Sequence, residues 1–483
     1  MLSLSDTTQE PSRGPDKILT DITNYVVDTE LTSQEAYRMA RWVLFDAMGS
    51  GILALCYPEC RKLIGPWIPG SAAVNDGCQI PGTFLELDPI HAAFSISCMN
   101  RWLDYNDTWL AKEWGHPSDN IGAILSAAVW RSRQQMRQGH SAYTMRDVFT
   151  AIIKAHEIQG VLALGNSLNR VGLDHVLFVK IASTALAAHL LGANRHQILN
   201  ALSNAWLDNG SLRTYRHFPN TGSRKSWAAA DAASRALWLG FMALQDEMGY
   251  DTALTASQWG FNDVVMRGHS TQLVQPLGSY VIENVLFKIS YPAEFHGQTA
   301  VEAAISLHPS VFPRLKEIDQ IIIETQESAM RIINKTGPLH NPADRDHCLQ
   351  YMTAIGLLKG SLTADDYLDE AARNPEIDRL RDKMVVSENP QFSQDYLDPD
   401  KRSIANAVQV HFSDGSSTPK VTVEYPLGHR KRRHEAASPL KSKFRANLES
   451  WYVTHKVERL VDLFDDAALE DMTVVDFIRA WTL

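Results

Sequence analysis

Apolar residues over the first ~280 positions recur at helical spacing. Ala36, Ala40, Val43, Leu44 and Ala47 repeat at i, i+4, i+7, i+8 and i+11, one face of a helix. Thr32 and Glu35 stand just before that run and read as its capping box. A second helix is predicted to open at Thr144 with Asp147, carrying Val148, Ile152, Ala155 and Leu162 on its apolar side. His175 to Leu191 and Gln197 to Trp206 read the same way. Alanine is frequent in all these segments, as close helix packing wants.

The period changes near residue 280. Ile318 to Thr325 is β-branched and predicts a strand. Val408 to Phe412 and Lys420 to Tyr425 flank Ser413-Asp414-Gly415-Ser416, a hairpin signal. Helical stretches such as Asp346 to Leu358 lie between them. After Pro439 the pattern is helical again, so the last helices can return to the first block. The expected organisation is a discontinuous helical domain, residues 1–280 with 436–483, and an α+β domain, residues 281–435. No fixed-period repeat and no low-complexity segment interrupts it.

Composition narrows the function classes. The chain has 483 residues, 45% hydrophobic and 21% charged, ordinary for a globular protein with a large core. A net charge of −10 argues against sequence-independent nucleic-acid binding. Near the start, Asp6, Glu10 and Asp16 face Arg13 and Lys17 with no apolar run, which predicts neither a secretory signal nor a mitochondrial presequence. The cytoplasm is the expected compartment. Trp42 to Leu55, interrupted by Asp46, is too short and polar to span a bilayer, so no membrane association is expected. The five cysteines include no Cys-x-x-Cys and lack the spacing of iron–sulfur ligands. Buried or idle thiols are the simpler reading. Zinc-peptidase, Walker, dinucleotide and nucleophile-elbow motifs are absent as well.

Several clusters are rich enough to carry chemistry. Arg101 to Trp109 and Glu113 to Asn120 gather acids, amides, three tryptophans and His116, with Gly115 and Pro117 placing His116 on a turn. A carboxylate and an imidazole suit proton transfer near neutral pH, although a polar loop with aromatic anchors has the same composition. Ser211 to Lys225 holds Arg213, Arg216, Arg224, Lys225 and His217, with no acid between Asp208 and Asp231. Such an island suits carboxylate or phosphate, and it leads into a helix N-terminus that favours anions. A solvated basic face is the alternative. Asp174 and His175 open a further helix, Asp174 as its expected cap. Lys288 to His296 and Asn341 to Tyr351 mix cations, acids and imidazoles beside prolines, either as part of a site or as surface ion pairs. His429 to His434 reads as a solvated inter-domain linker rather than a polyanion patch.

Arg101-Trp-Leu-Asp-Tyr-Asn-Asp-Thr-Trp, Glu113-Trp-Gly-His-Pro-Ser-Asp-Asn, Arg170-Val-Gly-Leu-Asp-His, Ser211-Leu-Arg-Thr-Tyr-Arg-His, Arg224-Lys-Ser-Trp and Asn341-Pro-Ala-Asp-Arg-Asp-His closely resemble the MmgE/PrpD family. The likeness runs from about Ile18 to the C-terminus. It implies a mainly-α protein with a large all-α domain, completed by the C-terminal helices, and a smaller α+β lid. It implies a homodimer and a metal-free lyase without cofactor. Close relatives remove water from 2-methylcitrate to give 2-methyl-cis-aconitate. More distant members decarboxylate cis-aconitate, and a fungal biosynthetic group takes longer alkylcitrates. By motif, the resemblance carries active-site roles onto Asp104, His116, His175 and Lys225, with Lys288 and Tyr351 on the lid. Arg213, Arg216 and Arg224 are the expected substrate-binding cations. Two positions depart from the bacterial pattern: Phe218 and Ala230 stand where Ala and Gly are expected, which bears on the shape of an alkyl pocket.

Overall fold

The computed structural model describes residues 14–483 apart from 72, 208, 209, 218 and 399. Asp6, Glu10, Arg13, Asp208 and Phe218, named above, lie outside the described residues.

The protein is mainly helical, as the apolar period predicts. At its centre the helix Val176–Leu191 is apolar all round, and all its residues but His189 are buried. It packs against the helices Ile121–Arg137, Met145–Gly165, Arg195–Leu207 and Arg224–Leu244. The helix Pro89–Arg101 lies against Gln34–Ala54, Ile121–Arg137 and Arg224–Leu244. Met145–Gly165 is apolar enough to cross a membrane by length and composition, which the reading of Trp42 to Leu55 did not foresee; it is buried inside this body.

The local signals fare unevenly. Thr144 and Asp147 form the expected capping box. The box expected at Thr32 and Glu35 does not form. Ser33 is the cap and accepts from the Ala36 amide, while Glu35 pairs with Arg38. A short antiparallel ribbon, β1 (Ala73–Gln79) with β2 (Glu86–Leu87), sits within the helical body, so that body is not purely α.

The C-terminal helices share the core of this body. Phe444, Phe464, Phe477 and Trp481 surround Phe45 with ring centroids 5.3–6.0 Å away. A Cβ at Gly49 would stand 2.7 Å from the Phe444 ring, so glycine is what lets the helices Gln34–Ala54 and Arg433–Glu449 approach.

The second core lies between residues 293 and 423. The helices Gln298–Val311 and Leu349–Lys359 pack together, the first against β5, beside a mixed sheet of order β4-β3-β5-β6. Its strands are β3 (Ile318–Thr325), β4 (Met384–Glu388), β5 (Asn406–Phe412) and β6 (Val421–Val423). β3 and the β5–β6 hairpin stand where the pattern places them, with Gly415 at φ 84° in the turn. β4 runs parallel to β3 and has no counterpart in the pattern.

The basic run at His429 is not a solvated linker. His429 is buried and bonds the Arg402 carbonyl. Arg432 pairs with Glu302 of the α+β core, and Arg433 donates to the Val285 carbonyl while lying over Phe287. Desolvation would penalise these cations if they lacked such partners, so the run works as a clamp between the two cores.

Candidate active site

A loop between the helices Pro89–Arg101 and Ile121–Arg137 builds one wall. Asp104 is buried at φ 51°, a left-handed conformation that Asp tolerates better than most residues. Its Oδ1 accepts from Arg101 at 2.6 Å and from Lys288 at 2.5 Å, and its carbonyl accepts a second Lys288 bond at 2.7 Å. Burial pushes the Asp104 carboxyl up. The Arg101 guanidinium and the Lys288 ammonium outweigh that and hold it well below the ordinary carboxylate value.

His116 precedes a short turn over Pro117–Asn120, as its flanking Gly and Pro predict. Its Nδ1 donates to the Asp107 carbonyl at 2.6 Å, which leaves Nε2 to accept from Arg101 at 2.9 Å. Asp107 is itself fixed by Ser118 and His156. Burial and the nearby Arg101 guanidinium lower His116 well below the usual imidazole value, so it is neutral.

His175 opens the central helix. Asp174 is less a cap than the hub of an ion pair: its carboxylate takes the Arg216 guanidinium and accepts from His175 Nδ1 at 2.8 Å. The His175 side chain lines the cavity, and its Nε2 is buried and without a hydrogen-bond partner among the described residues. Burial lowers His175 to about 4 despite Asp174. The rings of His116 and His175 are 5.7 Å apart. A Cβ at Gly115 would stand 2.9 Å from Gln159 Nε2 and 3.3 Å from the His175 ring, so a larger residue before His116 would push on both. Asp119 lies behind: its Oδ2 is 4.0 Å from His175 Nε2, and burial pushes its carboxyl up to about 7.

The α+β core supplies the facing wall. Lys225 bonds both Asp346 oxygens at 2.6 Å and lies 3.1 Å from His347 Nδ1. His347 Nε2 is 3.9 Å from Asp104. Burial lowers the ammonium groups of Lys225 and Lys288, against the pull of their carboxylates.

One cavity collects much of this. Asp104, His116, His175, Lys288, Arg213 and Arg216 all line it. Lys225 stands behind the lining, through His347. Arg224 points away, stacked over Trp227 with its guanidinium 4.2 Å from the ring and paired with Asp231. Tyr351 is buried on the helix Leu349–Lys359 and donates to the Asp366 carbonyl, outside the lining. Ala230 also lies elsewhere, packed with Phe94 and Cys98, so it does not shape this cavity.

The basic island changes character in three dimensions. Arg216 meets Asp174, Lys225 meets Asp346, and Arg213 lies 3.6 Å from Glu113. Each acid comes from another segment. The lining nevertheless carries five fixed cations, including Arg101, Lys288 and Arg331, against the carboxylates of Asp104 and Glu294. That surplus suits a polyanion.

Arg101, Asp119 and Asp346 stand in the sequence only as members of larger motifs, and Lys443 stands in none of them. The Lys443 ammonium, from the C-terminal helices, bonds Asp46 and the carbonyls of Tyr105 and Lys288, each at 2.7 Å. It ties the segments that carry Asp104 and Lys288 to the core. No local signal separates it from a surface lysine.

Residues 20–274 match the model of the MmgE/PrpD N-terminal domain, and residues 291–468 that of the MmgE/PrpD C-terminal domain. The chain belongs to the MmgE/PrpD family. Its family relatives include 2-methylcitrate dehydratase of Salmonella typhi, 54% identical over 97% of this chain and 98% of that one. The 2-methylcitrate dehydratase of Escherichia coli K12 is 53% identical over 97% and 98%. A mitochondrial 2-methylcitrate dehydratase of Yarrowia lipolytica is 50% identical over 92% of this chain and 86% of that one. The MmgE/PrpD C-terminal match runs to residue 468, although the helices after Arg433 pack into the helical body.

Proposed function

We propose that this protein dehydrates 2-methylcitrate to 2-methyl-cis-aconitate. The observation that carries the reading is the unpartnered, neutral His175 Nε2 beside a lining with surplus cations. Elimination breaks the C–H bond on the methyl-bearing carbon and the C–OH bond on its neighbour, forms the C=C bond, and releases water. The near-full-length identity to enzymes named 2-methylcitrate dehydratase supports the same choice.

His175 takes the proton, its Nδ1–H fixed by Asp174. Arg101, Arg213 and Arg216 hold carboxylates and stabilise the charge that develops as the proton leaves. Lys288, lowered by burial and bound to Asp104, gives a proton to the departing hydroxide. His116, its lone pair held by Arg101, positions that guanidinium. Asp104 balances Arg101 and Lys288, and Lys225 anchors the facing wall. Tyr351 and Arg224 act from outside the cavity, as supports. All steps use side chains of this chain, so dialysis against a chelator should leave turnover unchanged. We read the protein further as a cytoplasmic homodimer, a state that sedimentation would check.

The test is a side-by-side assay of citrate, 2-methylcitrate and a long-chain 2-alkylcitrate by ultraviolet absorbance of the conjugated product. The reading expects 2-methylcitrate to be the best of the three. Turnover of none of them, or release of carbon dioxide from cis-aconitate as the main activity, overturns it.

A further inference from the structure

A small apolar cluster separate from both large cores reaches the cavity. Leu110 and Leu286, flanking the helical body, meet Phe295, Tyr396 and Ile404, and Trp114 packs against them. Leu110, Trp114 and Phe295 are on the cavity lining, while Leu286, Tyr396 and Ile404 stand behind it. Trp114 is held by the His296 ring, centroids 4.3 Å apart. The polar neighbours are already committed: Glu294 accepts from the His296 amide and lies 2.7 Å from His296 Nδ1, and His296 Nε2 faces the Tyr396 hydroxyl. Apart from the Trp114 indole N–H, this part of the lining therefore offers carbon. Burying apolar surface there needs an apolar ligand group, since a carboxylate would lose water without gaining partners.

We infer that Leu110, Trp114 and Phe295 form the subsite for the substrate's alkyl group and set its length. The inference rests on the dehydration reading above. It follows the chemistry: the alkyl group sits on the carbon that loses its proton, so its subsite has to border the cavity that holds the base. Among the described residues, Leu110, Trp114 and Phe295 border the apolar end, while Ala230 is outside the lining.

The experiment compares kcat/KM for citrate, 2-methylcitrate and 2-propylcitrate in the unmodified protein, Leu110→Ala and Leu110→Trp, with Phe295→Leu as a milder change at the buried position. One methylene in an apolar pocket is worth roughly tenfold or more in discrimination. Leu110→Ala should raise the propyl-to-methyl ratio about tenfold, and Phe295→Leu should move it the same way. Leu110→Trp should lower the methyl-to-hydrogen ratio about tenfold. If all three variants lose activity evenly on the three substrates, or leave the ratios unchanged, the subsite assignment is wrong. If the unmodified protein turns over none of these substrates, the dehydration reading fails instead.

Discussion

The helical body and the α+β core meet the cavity with different material. The body brings His116, His175, Arg101, Arg213 and Arg216, set on loops pinned to one continuous core and on a buried helix terminus. The facing side brings Arg331 and Ile332 from the short helix Glu327–Ile332, His347 from a loop, and Phe295 from a turn in the small apolar cluster between the cores. The body's groups are fixed by buried partners: Asp174 to Arg216 and Lys443 to the loop carbonyls from distant segments, and Asp107 to His116 within one loop. The other side has fewer such ties to the reacting groups. The contrast suggests a division of labour in which the body performs the proton transfers and the α+β core closes and shapes the space.

The sharpest way to break that comparison is at the base. His175→Gln should lower kcat/KM on 2-methylcitrate by about 10³-fold, within the usual range for a general base, with the thermal midpoint little changed. A loss below tenfold would remove the body's claim to the chemistry. Lys225→Met comes next, because it severs the tie between the two walls. It leaves Asp346 buried with only His347, so stability should fall by about 3 kcal/mol. KM should rise more than kcat falls. A denaturant titration together with steady-state kinetics separates these outcomes, and an unchanged KM would argue against a wall that depends on that ion pair.

The smallest effect is a pH signature within the body. The Asp119 carboxyl is raised to about 7 by burial, so the folded protein binds more protons than the unfolded chain between about pH 4 and pH 7. Its contribution to stability therefore falls as pH rises through that window. Asp119→Asn removes this dependence, and its thermal midpoint relative to the parent should climb by at least ~2 °C from pH 5 to pH 8. Calorimetry at the two pH values checks the sign. The groups facing Asp119 are His175, Arg101 and Asn106, so the comparison is made in one buffer series at fixed salt.

What was legible in the sequence was largely local. The Thr144–Asp147 box, the β-branched run at Ile318 and the Asp414-Gly415 turn depend on near neighbours, and each forms. Ser33 replaced Thr32 as a cap because a one-residue shift is enough to bring a different hydroxyl to the Ala36 amide. β4 is short and partly exposed, and only its parallel pairing with β3 makes it a strand. The site followed the same rule. The resemblance marks Asp104, His116, His175, Arg216 and Lys288, but not who pairs with whom: Arg216 lies 42 positions from Asp174, Lys288 lies 184 from Asp104, and Lys443, which no motif marks, lies 397 from Asp46. The acid-free run around Arg213 suggested free cations, yet folding delivers an acid to most of them. The apolar subsite draws Leu110 and Phe295 from two separate segments, which no motif could have joined.

As the base, His175 has to be a neutral imidazole protonated at Nδ1, with an uncommitted Nε2 lone pair. ¹⁵N NMR of histidine-labelled protein, with His175→Gln to assign the signals, reads both nitrogens directly. A protonated Nδ1 and a bare Nε2 are expected at pH 7, with the ring titrating near pH 4. An imidazolium at pH 7, or the proton on Nε2, would contradict it.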